Sequence, residues 1–253
     1  MSNPTYATYD VTLEGDGVAL SARHYVPADG RRAPAVIVCP GGISTGLIDS
    51  IDWLASRLAT GGFNALSITY RNGSPIDDHR DIRIAFDWLQ KKPSVAPDST
   101  AVMGMSRGGT SALRAAAELP ELRAAVSFGS PTDLLQHVRG VAGYAPGRYA
   151  LLCQWLGGAP DEHRAFYEEV QPISHAHKIR QPVLGIHGSF DMHVPVEQTQ
   201  WMNEALKRHG NPRAEVHVIP FMNHYCDVTP SYSFGFDRVV DPALEFLRRH
   251  LSR

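Results

Sequence analysis

Thr100-Ala101-Val102-Met103-Gly104-Met105-Ser106-Arg107-Gly108-Gly109 reads as a buried strand that runs without a linker into a glycine-rich turn. The residues after it, through Leu119, are rich in alanine and carry helical periodicity. Gly104 to Gly108 fits the pattern G-x-S-x-G. In a chain with 22 glycines that pattern alone is weak, and its position gives it weight. A strand-to-helix turn this tight forces its central residue into a strained backbone conformation. Side chains at the flanking positions would collide with the neighbouring strand and helix. The seryl oxygen then projects above the positive end of the following helix. A glycine-rich turn with an incidental serine is the plain alternative, and the strand and helix on either side argue against it.

Outward from this point, apolar β-rich runs alternate with helical stripes. Residues 5–13 and 18–27 read as two strands joined through Gly15-Asp16-Gly17. Ala35 to Cys39 is a continuous apolar run, expected of a strand covered on both faces, and Pro40-Gly41-Gly42 follows it. Ile51, Leu54, Ala55 and Leu58 share one helical face, and Ile82, Ala85, Phe86 and Leu89 share another. Phe63–Tyr70, Ala124–Phe128, Val183–Ile186 and Ala214–Ile219 supply further strands. A closing helix carries Val240, Ala243, Leu244, Leu247 and Leu251 on one stripe. Such alternation predicts an α/β fold, a mostly parallel eight-stranded sheet with helices on both faces. The site is then expected beyond the carboxyl ends of the strands. Residues 131–180 break the rhythm. They are aromatic-bearing and without a clear period, and are expected to fold over the strand ends as a small cap within one domain spanning 1–253.

Composition narrows the function. With 253 residues, 43% hydrophobic and 20% charged, the chain has the make-up of a globular protein able to bury one large core. A formal net charge of −2 supplies no basic field for a phosphate backbone, so nucleic acid is not an expected partner. No apolar run reaches membrane-spanning length, and Met1 to Tyr6 has neither the basic start nor the apolar stretch of a secretory signal. A cytoplasmic protein without membrane attachment is the expectation, although a mature chain stripped of its signal would read the same. Cys39, Cys153 and Cys226 give neither a disulfide framework nor zinc spacing and are expected to be free thiols.

Residues 98–109, the Ala85-Phe86-Asp87-Trp88-Leu89 helix and the His187-Gly188-Ser189-Phe190-Asp191 segment resemble the prolyl oligopeptidase and dienelactone hydrolase branches of the α/β-hydrolase superfamily. The likeness runs from about residue 18 to the end. It implies the α/β-hydrolase fold and a nucleophile at Ser106, with the acid and the base following in chain order.

A serine hydroxyl needs a base to take its proton as it attacks. Of 12 histidines, His209 ends a helix, His217 lies within a strand and His250 is near the end of the last helix. His224, in the loop past the last strand, is the candidate base. Asp191 follows the Val183–Ile186 strand and can accept the other ring N–H of the base. Asp133, after the preceding strand, is the rival acid, and Asp191 could instead cap the helix opening near Pro195.

The oxyanion hole should use the backbone N–H of Arg107. The resemblance places its second donor in Pro40-Gly41-Gly42-Ile43, at Gly42 or Ile43, with Gly42 preferred because glycine allows close approach. Prolyl oligopeptidases supply a tyrosine hydroxyl from this loop, and residues 40–47 contain no tyrosine. Their propeller domain is also missing from the chain, so small or medium esters are a better expected substrate than peptides. Tyr144, Trp155 and His193 are candidate pocket residues, with Tyr149, Phe166 and Tyr167 beside them. The alternative is that the aromatic residues form the cap's own core. His175 and His177 are expected to be solvated loop residues, with no metal. The Arg107 side chain is expected in structural salt bridges.

The expected function is hydrolysis of a small-molecule carboxylic ester through an acyl-enzyme, with no cofactor. Acyl transfer, thioester cleavage and lactone opening remain open on the same residues, and a non-catalytic receptor requires a damaged site that the sequence does not show. A homo-oligomer is left open.

Overall fold

The central strands that lead to the site are buried on both faces, and this decides the architecture. The computed structural model describes residues 5–228 and 233–251. Eight strands form one sheet: β1 (Tyr6–Gly15), β2 (Val18–Pro27), β3 (Ala33–Cys39), β4 (Asn64–Ile68), β5 (Val95–Met105), β6 (Ala125–Phe128), β7 (Val183–Gly188) and β8 (Ala214–Ile219). Their order is β1-β2-β4-β3-β5-β6-β7-β8. Only the pairs β1–β2 and β2–β4 are antiparallel; every other pair in the sheet is parallel.

β1 and β2 form a hairpin closed by Asp16 and Gly17 at φ 51° and 73°. Two positive φ values match the twist of the flanking strands. Along β3 and β5 the side chains alternate between the faces. Ile37 and Val102 join one core, while Val36, Val38, Ala101 and Met103 join the other. The first core is covered by α2 (Asp78–Gln90), α3 (Arg107–Glu118) and α7 (Glu197–Arg208). The second is covered by α1 (Asp52–Thr60) and α8 (Phe236–Leu251).

Three details differ from the sequence reading. β5 begins at Val95, five residues before the expected Thr100, because its first half pairs only through Ala33 opposite Val95 and carries polar residues. β4 is shorter than the expected 63–70, and Tyr70 leaves the sheet so that its hydroxyl can donate to the carbonyl of Pro40. Residues 131–180 are helical where no period was read. They contain α4 (Leu134–Ala142), α5 (Pro146–Trp155), α6 (Arg164–Val170) and a 3-10 stretch, Pro172–Lys178. These helices are short and share a small apolar cluster built on Leu134, Val138, Leu152, Leu156, Tyr167 and Val170. Each therefore buries a patch rather than a long stripe, which hides its period. Among the described residues, no helix is long and apolar enough to cross a membrane.

The parallel register sets the loops side by side. Cys39 pairs with Gly104, Met105 with Phe128, Phe128 with Ile186, and Gly188 with Ile219. The segments after β3, β5, β7 and β8 thus emerge at one rim of the sheet.

Candidate active site

Ser106 stands between β5 and α3 at φ 55° and ψ −123°, a region that L-residues rarely occupy. Its backbone N–H donates to the carbonyl of Phe128 at 2.8 Å. The turn exists because its neighbours are glycines. A Cβ on Gly104 would lie 2.2 Å from the Gly108 backbone, and one on Gly108 would lie 2.0 Å from the Cys39 carbonyl oxygen. α3 therefore packs directly on the ends of β3 and β5.

Asp191 and His224 meet at the rim. Nδ1 of His224 donates to Oδ2 of Asp191 at 2.7 Å, and both residues are 7% exposed. The other carboxylate oxygen accepts the backbone N–H groups of His193 and Val194, at 2.9 and 2.8 Å. Asp191 thus both tethers its own turn and holds the imidazole. Burial by itself would raise its pKa, but the His187 and His224 imidazoles beside it hold the carboxyl well below the usual carboxylate range. With Nδ1 engaged, Nε2 is the ring nitrogen left for the cleft, which Ser106 and His224 both line. Asp133 is elsewhere in role: it is the N-cap of α4 and accepts the N–H of Gln136 at 2.9 Å.

Two residues around this pair were not singled out by the sequence reading. His187 is fully buried; its Nε2 donates to the carbonyl of Val194 at 2.8 Å, so its Nδ1 accepts from the Thr199 hydroxyl at 2.7 Å. Gly129, at φ 56°, faces the pair so closely that a Cβ there would be 3.3 Å from Oδ2 of Asp191. A histidine and a glycine at consecutive strand ends were the available signals.

Gly42 and Ile43 both line the cleft. Gly42 is at φ 96°, while the close approach belongs to Gly41, whose added Cβ would lie 3.2 Å from Cβ of Ser106. The reason given for Gly42 therefore applies to its neighbour. Arg107 places its N–H at the start of α3, directly after Ser106. Its side chain is a buried tie. Nε and Nη2 bond Asp78 at 2.9 and 2.7 Å, and the other donors reach the carbonyls of Ser44, Asn72, Gly73 and Ser74. The guanidinium also lies over the Tyr70 ring, 4.3 Å from its centre. One side chain thus fixes the loop after β3 to the turn that carries Ser106.

The cleft encloses about 520 Å³. Trp155 and His193 line it as expected, whereas Tyr144 does not and is 58% exposed. Tyr144 precedes α5 and turns outward. Tyr149, Phe166 and Tyr167 pack in the apolar cluster of α4–α6. Leu134, Leu151 and Leu152 from these helices, with Leu47 and Ile51 from the opposite side, make the walls largely apolar. His137 and Arg148 also line the cleft and were not anticipated. His175 bonds the carbonyl of Glu169, and His177 lies against the His209 ring. Cys39, Cys153 and Cys226 are free.

A sheet of this order, with a strained serine on a strand-to-helix turn and an Asp–His pair on later strand ends, defines an α/β-hydrolase fold. The chain belongs to the prolyl oligopeptidase family, a family of serine hydrolases, whose model matches residues 68–253. It is 24% identical to acylamino-acid-releasing enzyme 2 of Oryza sativa subsp. japonica over its whole length, but spans only 34% of that protein. Cutinase 2 of Thermobifida cellulosilytica is 34% identical over 110 residues, 40% of this chain and 41% of the cutinase. Among solved structures, Pyrococcus horikoshii acylaminoacyl peptidase matches with a TM-score of 0.79 at 18% identity, covering 98% of this chain and 42% of the peptidase. The chain thus spans less than half the length of these three proteins.

Proposed function

We propose that the protein hydrolyses carboxylic esters through an acyl-enzyme, with Ser106 as nucleophile, His224 as base and Asp191 as the acid that orients it. The observation that carries this reading is the 2.7 Å bond between Asp191 and His224 at the wall of the cleft that Ser106 also lines. Asp191 remains ionised and fixes the tautomer with the proton on Nδ1, so the lone pair of Nε2 is available. As the Ser106 oxygen bonds to the ester carbon, Nε2 takes its proton and the carbonyl π pair moves onto oxygen. The N–H of Arg107 and one from Gly42 or Ile43 receive that charge. Collapse expels the alkoxide, which leaves as the alcohol with the proton from His224. Water repeats the sequence and releases the acid.

Esters are favoured over peptides by the cleft. Its walls are largely apolar, and among the described residues no Asp or Glu lines it to hold a substrate's amino terminus. The loop after β3 has no tyrosine, and the nearby Tyr70 hydroxyl is bonded to Pro40. The likeness to a cutinase agrees with this choice, and that to acylamino-acid-releasing enzyme 2 marks peptides as the competing substrate.

The test is turnover of p-nitrophenyl butyrate against an acetyl-amino-acid p-nitroanilide. The expected result is faster ester cleavage, reduced by about 10³-fold or more in Ser106→Ala while the circular dichroism spectrum is kept. Undiminished turnover in that variant removes Ser106 from the reaction, and faster cleavage of the anilide makes the protein a peptidase.

A further inference from the structure

The cleft holds two guanidinium groups and no carboxylate among its lining residues. Arg107 is neutralised by Asp78 and is 2% exposed. Arg148, in the first turn of α5, is half-buried and has no acidic partner among the described residues. Its one polar contact among the described residues is from Nη1 to Nδ1 of His193 at 2.9 Å. A guanidinium can only donate, so Nδ1 of His193 is the acceptor and that ring is neutral with its proton on Nε2. The charge of Arg148 is therefore not cancelled by its neighbour.

A second polar side chain, His137, lines the same cleft. His137, on α4, is 5% exposed, and its Nδ1 is buried without a partner among the described residues. Burial and then the Arg148 cation push its pKa down to about 4, so it sits beside Arg148 as a neutral donor or acceptor. A half-buried cation against apolar walls is poorly solvated, and an entering anion would replace the water it has lost.

Taking Ser106 as the acylated nucleophile of this cleft, we infer that Arg148 binds an ionised carboxylate carried by the substrate. The natural substrates are then half-esters of dicarboxylic acids or hydroxy acids acylated on their hydroxyl, not neutral or cationic esters. The planar fork of Arg148 matches the two oxygens of a carboxylate, and His137 can add a neutral hydrogen bond.

The experiment compares monomethyl adipate with the methyl ester of adipic monoamide, which differs only in the remote charge, by pH-stat titration. A second pair, 4-acetoxybutyrate and its amide, places the charge on the alcohol side. The wild-type protein is expected to favour the anionic member of one pair by about tenfold or more in kcat/KM. The pair that shows the preference tells which side of the ester Arg148 serves. Arg148→Gln should bring that ratio close to one, Arg148→Lys should keep part of it, and Arg148→Glu should favour methyl 6-aminohexanoate. Absence of preference in the wild type, or a preference that survives Arg148→Gln, overturns the assignment and leaves Arg148 as a support for His193. Calorimetric titration of Ser106→Ala with the first pair reads the same selectivity without turnover. If no ester is cleaved but the anion still binds through Arg148, the hydrolase reading fails alone; equal binding of both members rejects the carboxylate site.

Discussion

Oδ2 of Asp191 and Nδ1 of His224 lie 2.7 Å apart although 33 residues separate them in the chain. The pairing of Gly188 with Ile219 closes that distance, because it starts both loops from the same height on adjacent strands.

The first prediction concerns which acid serves His224. Asp191→Asn keeps the shape but can present an N–H to Nδ1, which favours the wrong tautomer. A loss of about 10³- to 10⁴-fold in kcat for p-nitrophenyl butyrate is expected. Asp133→Ala removes an N-cap from α4 and should lower stability by about 1 kcal/mol in urea titration while kcat is kept. The reverse pattern of kcat would move the acid to Asp133.

The turn at Ser106 was legible in the sequence because its constraints are local. An apolar run, three small residues and an alanine-rich helix lie within twenty positions. Asp191 and His224 were picked from chain order and from their places just past β7 and β8, and the fold brings the two together. The walls of the cleft were not legible. Which face of α5 turns inward depends on how α4, α5 and α6 pack on one another, and their shared cluster draws single residues from each helix. Tyr144 looked like a pocket residue because it is aromatic, and Arg148 was overlooked because a lone arginine on a short helix reads as a solvated side chain. Only the fold sets it among groups that cannot neutralise it.

Glycines of the turn and of the surface should behave oppositely. Gly108→Ala drives a Cβ to 2.0 Å from a backbone oxygen that has nowhere to move, and a loss of about 3 kcal/mol or more is expected. Gly140, inside α4, has nothing within 4 Å of an added Cβ and no positive φ. Gly140→Ala should therefore stabilise by about 0.5–1 kcal/mol through helix propensity and a less flexible unfolded chain. Thermal unfolding of the two variants checks both signs.

Arg107 couples stability to the loop after β3. Removing it leaves the Asp78 carboxylate buried, where desolvation already raises its pKa against the lowering by Arg107. Arg107→Met should cost about 3–5 kcal/mol. Arg107→Met with Asp78→Asn should recover part of that loss, since no unpaired charge remains. Because the side chain also holds the carbonyls of Ser44 and Gly73, kcat should stay low in the double variant even where it is folded. Urea titration with ester turnover separates the two effects, and full activity in the folded double variant would remove the loop from the argument.

Two buried histidines set a pH dependence of stability. His24 lies between the Trp88 ring, 5.2 Å away, and Asn64, whose Oδ1 is 3.2 Å from its Nε2. Burial pushes its pKa down to about 4, the Asn64 bond opposes this, and the Lys92 charge adds to it. His137 is pushed to about 4 by burial and by Arg148. Both folded values lie below the unfolded value of about 6.5, so between these limits the unfolded chain binds more protons than the folded one. Stability is then fully present above about pH 6.5 and is lost as the pH falls toward 4. A group shifted this far contributes about 3 kcal/mol across that window. His24→Gln can keep a hydrogen bond to Asn64 without titrating, and should flatten the pH 4–7 stability profile by about that amount. The measurement is the urea midpoint of both proteins at half-unit pH steps. Parallel profiles would mean that His24 accepts a proton in the folded state as readily as in the unfolded one.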